Sequence, residues 1–185
     1  MKKILKTGIV IILVVAFAFL YAYHIDKIVF LYDQNQDSIE FVQTGVLVDD
    51  EVSQTFVSTE DVLDGMSVRC FVVGDVSDVT IEYSLKDTTT REVLATGTSP
   101  AHGISNDRFH IFRFNQVSDT KGNQYTFTLR VTGSMEGNGV GFQMANGILD
   151  ARTVSRQFEP ETFIIVLLFA IYIAVFMRLL YKLFK

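Results

Sequence analysis

The chain has no tryptophan, a single cysteine and only two prolines. A lone cysteine, Cys70, excludes any intrachain disulfide. No N-x-S/T sequon is present either. A domain exposed outside a cell without bridges or glycan acceptors fits a bacterial surface better than a eukaryotic ectodomain. The absence of tryptophan removes the largest ring on which a sugar could stack. Pro100 falls in a loop and Pro160 at a boundary, so neither interrupts the extended stretches between them. There is no internal repeat and no low-complexity linker. Negative charge is missing from both ends: all 21 acidic residues lie between Asp26 and Glu161.

What the ends carry instead is apolar. Residues 7–25, TGIVIILVVAFAFLYAYHI, contain no Asp, Glu, Lys or Arg. At 1.5 Å per residue they reach about 28 Å, close to the thickness of a bilayer's hydrocarbon core. Residues 162–177, TFIIVLLFAIYIAVFM, form a second uncharged run, which Arg178 and Lys182 extend by snorkelling. Tyr23 and Tyr181 sit where interfacial rings are expected. Lys2, Lys3 and Lys6 precede the first run, and Arg178, Lys182 and Lys185 close the second. The positive-inside rule then predicts two transmembrane helices with both termini cytoplasmic and the middle of the chain outside. A cleaved signal peptide, with Ala16-Phe17-Ala18 as its processing site, is the alternative for the first run. An anchor at the C-terminus alone, with a buried first helix, is the third.

The stretch between the runs carries 10 basic residues against those 21 acidic ones, a formal charge of −11. Such a surface repels nucleic acid and other polyanions, so no nucleic-acid partner is expected.

Its pattern is β. Residues 79–86 place Val79, Ile81, Tyr83 and Leu85 on one side and Thr80, Glu82, Ser84 and Lys86 on the other. Residues 124–132 alternate in the same way, with Tyr125, Phe127, Leu129 and Val131 inward. Residues 67–73 and 108–114 are more continuously apolar. Weaker strands are predicted at 39–48, 53–57, 92–96, 139–144 and 152–158, with a helical turn at 58–63 as the one exception. Turn residues punctuate them, including Lys121-Gly122-Asn123 and Asn146-Gly147. Eight or nine short strands predict an all-β antiparallel sandwich, a jelly roll, flanked by the two transmembrane helices. The expected divisions are 1–25 for the first tail and helix, 26–37 for a juxtamembrane linker, 38–158 for the sandwich and 159–185 for the second helix and tail.

The runs SQTFVSTEDVLDGMSVRCFV, VTIEYSLKDTTTREVLATG and NDRFHIFRFNQVSDTKGNQYTFTLRVTG resemble the extracytoplasmic jelly-roll domains of bacterial, Gram-positive-like, surface-polysaccharide assembly proteins. Gln54, Phe56, Leu63, Gly65, Gly122 and Tyr125 carry the likeness, at core and turn positions. The resemblance implies a fold and a cell-envelope setting. This chain lacks the multi-pass catalytic portion that some such proteins have, so glycosyltransferase activity does not transfer. The function expected is that of a non-enzymatic membrane accessory or scaffold protein, whose outer domain binds a membrane protein of glycan assembly. A glycan-binding module that takes polysaccharide directly is the alternative, and an anchored glycoside hydrolase the second.

Sites of chemistry are sparse. Asp33, Asn35 and Asp37 match the start of a calcium loop, but Ser38 and Thr44 stand where Gly and Glu are needed, so a solvated linker is expected. Asp49-Asp50-Glu51 and Glu60-Asp61 with Asp64 read as exposed loop charge. His24, His102 and His110 lack partners at metal spacing. No catalytic residue, metal ligand or cofactor is assigned. Cys70 alternates with Val68 and Val72 and reads as a core residue. Ala18 and Ala22, and Ala170 and Ala174, are small-x-x-x-small pairs that permit close helix packing in lipid.

Overall fold

In the computed structural model, residues 2–35 and 38–184 are described. They separate into two compact units. One is the β domain, Lys27–Ser155. The other comprises the flanking segments, 2–26 and 156–184.

The flanking segments hold two helices, α1 (Lys2–His24) and α2 (Pro160–Leu183). Pro160 occupies the first turn of α2, where its missing N–H costs nothing. α2 is long and apolar enough to cross a membrane. The apolar part of α1 for which side chains are described, Gly8–His24, is shorter. Both helices expose Ile, Val, Leu and Phe around their circumference, among them Ile12, Phe17, Ile165 and Phe169. Such an all-round apolar surface suits lipid rather than water. Within this unit Phe19 stacks on Phe158 at 5.2 Å, and the Glu159 amide donates to the Ala22 carbonyl.

The β domain contains, among the described residues, eleven strands: β1 (Lys27–Phe30), β2 (Phe41–Gln43), β3 (Glu51–Val57), β4 (Val62–Val73), β5 (Thr80–Asp87), β6 (Val93–Pro100), β7 (Arg108–Ser118), β8 (Gln124–Thr132), β9 (Gly139–Ala145), β10 (Ile148–Leu149) and β11 (Ala151–Ser155). All pairings are antiparallel. One sheet runs β3-β8-β5-β6. In the other, β2 pairs with β9, β9 with β4 and β4 with β7. The chain therefore alternates sheets from β2 to β5, forms the β5–β6 hairpin, and alternates again from β6 to β9. That double Greek key is the jelly-roll order. The long β4 makes it possible: Gly65–Val68 pair with β11 and Cys70–Val73 with β9, along the same edge.

The two inner faces meet in one core containing Leu63, Met66, Val68, Phe112, Phe127, Leu129, Val131 and Phe142, all at most 1% exposed. Period-two alternation drives this. On β8 the four inward residues are buried while Thr126, Thr128 and Arg130 between them reach solvent. Asn146 and Gly147, at φ 51° and 78°, form the tight turn joining β9 to β10, the left-handed pair that a two-residue hairpin needs.

Several expectations change, among them that Glu51 and Asp64 are loop charge: they lie in β3 and β4. The predicted linker 26–37 supplies β1, because KIVF finds an open edge on β11. No helical turn forms at 58–63: Val62 and Leu63 already belong to β4, opposite Ser118 and Val117. Glu60 is not exposed loop charge. It is 7% exposed, and its carboxylate accepts from Lys27 Nζ at 2.9 Å.

Candidate functional site: the polar face of the four-stranded sheet

The register of the β3-β8-β5-β6 sheet brings remote residues into rows on its solvent face. One row reads Glu51, Arg130, Glu82, Thr98. The next reads Ser53, Thr128, Ser84, Thr96. A third starts Thr55, Thr126, Lys86. Ser53 and Thr128 share a hydroxyl–hydroxyl bond of 2.8 Å, and Thr55 and Thr126 one of 2.9 Å. These bonds fix the orientation of the hydroxyls and leave lone pairs facing water.

The first two rows, Ser53 apart, line an open depression of about 350 Å³ that reaches all four strands. Its floor is shaped by Gly97. A Cβ there would fall 2.3 Å from the ring and hydroxyl of Tyr83, the residue opposite on β5. Without one, the Tyr83 ring lies against β6, and its hydroxyl donates to the Arg113 carbonyl of β7 at 2.5 Å. Burial raises the Tyr83 phenol above its ordinary range. The floor is thus pinned to the far sheet.

Arg130 stands between Glu51 and Glu82, one strand away from each. Among the described residues no ion pair joins it to either. All three side chains are exposed. Their five N–H donors and four carboxylate oxygens are free to meet a ligand rich in hydroxyls. The two carboxylates lie two strands apart, ~10 Å between backbones. Both are exposed beside the same guanidinium, so their environments are alike. An acid–base pair for glycoside hydrolysis needs carboxyls held in contrasting surroundings.

A second polar cluster lies on the other sheet. The Arg152 guanidinium is held between two rings, 4.0 Å from the Phe30 centroid and 3.4 Å from that of Phe109. Nearby, Tyr32 donates to Asp150 Oδ1 at 2.9 Å and Arg69 donates to Asp107 at 3.0 Å. Asp150 is 1% exposed, and burial raises its carboxyl. Burial and the bond to Asp150 push the Tyr32 phenol up to about 12. Tyr32, Asp150, Arg69 and Asp107 are thus paired with one another, while Arg152 Nε is buried without a hydrogen-bond partner among the described residues.

The predicted residues fall as follows. His24 is in the last turn of α1, with Nδ1 2.9 Å from the Leu20 carbonyl, and His102 lies in a 3-10 turn. His110 on β7 reaches Ser99 on β6, 3.0 Å from Nε2 to Oγ, and burial lowers its pKa. No carboxylate completes a triad among the described residues. Cys70 is 1% exposed and burial pushes its thiol up to about 12, as befits a core residue. Asp33 caps its own turn through the Asn35 amide. Asp37 lies outside the described residues. Among those described, no group of His, Cys, Asp or Glu is spaced to hold a metal. Ala18 and Ala22 are fully buried, Ala170 is half-buried and Ala174 exposed. The latter two face Val10 and Val14 of α1 across an apolar groove. The Glu51–Arg130–Glu82 row is not legible in the sequence. The signal available was the alternating polar set on residues 79–86 and 124–132, but not the register that joins them.

No family model matches this chain, and a comparison with curated proteins gives no match. Among solved structures, it is similar to a family 6 carbohydrate-binding module at 13% identity, covering 71% of this chain and 94% of that one, with a TM-score of 0.37. A xylan-binding module matches at 7% identity over 70% of this chain and 95% of that one, with a TM-score of 0.35. An insecticidal crystal protein matches at 10% identity over 75% of this chain and 23% of its own, with a TM-score of 0.38. At such scores these likenesses carry no weight for ligand or activity. The jelly-roll assignment rests on strand order and register.

Proposed function

We propose that this chain is a non-catalytic, membrane-anchored glycan-binding protein of the bacterial cell envelope, which takes polysaccharide on the solvent face of the β3-β8-β5-β6 sheet. The observation that carries this reading is the open depression in which Arg130, flanked by Glu51 and Glu82, sits among oriented Ser and Thr hydroxyls. Sugars present alternating donors and acceptors, and this face offers both kinds without a ring platform. Apolar α1 and α2 and their cationic flanks support anchorage through two spans with the domain outside. Two anchors restrict the domain's reach and raise the local concentration of a weakly held polymer.

The test is equilibrium binding of the full chain in lipid nanodiscs to purified cell-wall and capsular polysaccharides. Saturable binding that Arg130→Ala weakens by about tenfold or more supports the reading. No binding to any polysaccharide, or binding that Arg130→Ala leaves intact, contradicts it.

A placement role for a membrane protein of glycan assembly is the second reading. Its support is that the strands by which the chain enters and leaves the sandwich, β1 and β11, are hydrogen-bonded neighbours, so both tethers issue from one place. Cross-linking in native membranes that recovers an assembly enzyme, with no glycan binding, would favour it.

A further inference from the structure

We infer that the ligand of this face is a linear glycan bearing free amino groups, and that Glu51 and Glu82 are the residues that select it. This rests on the glycan-binding reading above. It adds the chemical class of the polymer.

The argument starts from charge. The depression holds two carboxylates and one guanidinium, a net −1, within a domain region that is itself strongly negative. Uronate and phosphate polymers are repelled at both scales. A neutral glycan would be tolerated, yet it would leave two carboxylates facing it with only hydroxyl donors. An ammonium group meets each carboxylate in a charge-assisted bond, about twice as strong as a neutral one. Neither carboxylate is consumed by Arg130, so both are free to take a cation.

Geometry adds a second constraint. Glu51 and Glu82 stand in one register row with Arg130 between them. Two strand spacings, ~10 Å, separate their backbones. That is about the length of one disaccharide unit, the repeat at which an extended β-1,4-linked chain presents the same substituent on the same side. Amines on alternate sugars would therefore meet Glu51 and Glu82. The intervening sugar would offer ring and hydroxyl oxygens to Arg130, which can only donate. Thr98, Thr96 and Ser84 continue the row edges across β5 and β6 with hydroxyls.

The experiment uses the full chain in nanodiscs and calorimetric titration with β-1,4-linked glucosamine oligomers, their N-acetylated counterparts and β-1,4-glucan oligomers of equal length. The expected result is a preference of about tenfold or more for the free-amine oligomer, weakened by added salt. The Glu51→Gln/Glu82→Gln variant should bring that preference close to unity. Glu92→Gln/Glu136→Gln, which removes the same charge from exposed positions elsewhere, should leave it in place. Equal binding of amine and acetylated oligomers overturns this inference and leaves the glycan reading standing. So does an equal loss in both double variants, which would mean attraction to the domain's overall charge. Failure of every oligomer and polysaccharide to bind removes the glycan reading, and this inference with it.

Discussion

Ile28 and Val154 face one another across β1 and β11, the two strands through which the chain enters and leaves the sandwich. The pairing closes almost the whole domain into one loop. It also means that the ends of the β unit need no linker to bring them together.

A disulfide between cysteines placed at these two positions should therefore form readily, since antiparallel neighbours lie within the span a disulfide can bridge. Comparing oxidised with reduced Ile28→Cys/Val154→Cys protein removes the cost of the substitutions themselves. Oxidation should stabilise the domain by about 5 kcal/mol, as expected for closing a loop of this size. Urea unfolding of the two forms reads the difference. Cys70, buried and with its thiol pushed up to about 12, should stay out of the exchange.

Gly97 leaves room for the Tyr83 ring beneath the depression. Gly97→Ala should cost about 1–3 kcal/mol by overpacking, because the ring cannot retreat without losing its bond to Arg113. In a Tyr83→Leu background the same substitution should cost much less. Thermal denaturation of the four proteins in this cycle gives the coupling.

Much of this was legible before the structure. The strands predicted at 79–86 and 124–132 are observed at Thr80–Asp87 and Gln124–Thr132, because strict alternation reports one buried face directly. The buried positions of Tyr83, Tyr125 and Cys70 followed from the same pattern. The sequence pattern shows only residues 67–73 of the 12-residue β4, since Asp64 and Gly65 break its alternation at the irregularity opposite β7. β1 looks like linker in the sequence, for its partner β11 lies more than a hundred residues away. The candidate site was hidden for the same reason. Glu51, Glu82 and Arg130 each look like ordinary surface charge, and only the register of β3, β8 and β5 makes them neighbours.

Arg152 between Phe30 and Phe109 ties β1, β11 and β7 together. Arg152→Lys keeps the charge but loses the flat guanidinium that fits between two rings. A loss of about 1–2 kcal/mol is expected, measured by chemical denaturation. In a Phe109→Leu background the loss should be smaller.

Asp150 gives a pH signature. Burial raises its folded-state pKa above the ordinary 3.8, so the folded protein holds a proton at pH values where the unfolded chain has released it. Its contribution to stability is fully present below the unfolded value and is lost as pH rises through the folded one. Relative to Asp150→Asn, the unsubstituted protein should therefore gain stability as pH falls from neutral toward about 4. Urea midpoints of the two proteins across that range test the sign.

The claim on which the account turns is that polysaccharide lies on the four-stranded face. Backbone hydrogen exchange of the full chain in nanodiscs, with and without a binding glycan, measures this most directly. The account predicts slowed exchange confined to β3, β8, β5 and β6, centred on Arg130 and its neighbours. Protection on the loops or on the β2-β9-β4-β7 sheet instead, with this face unchanged, would contradict it.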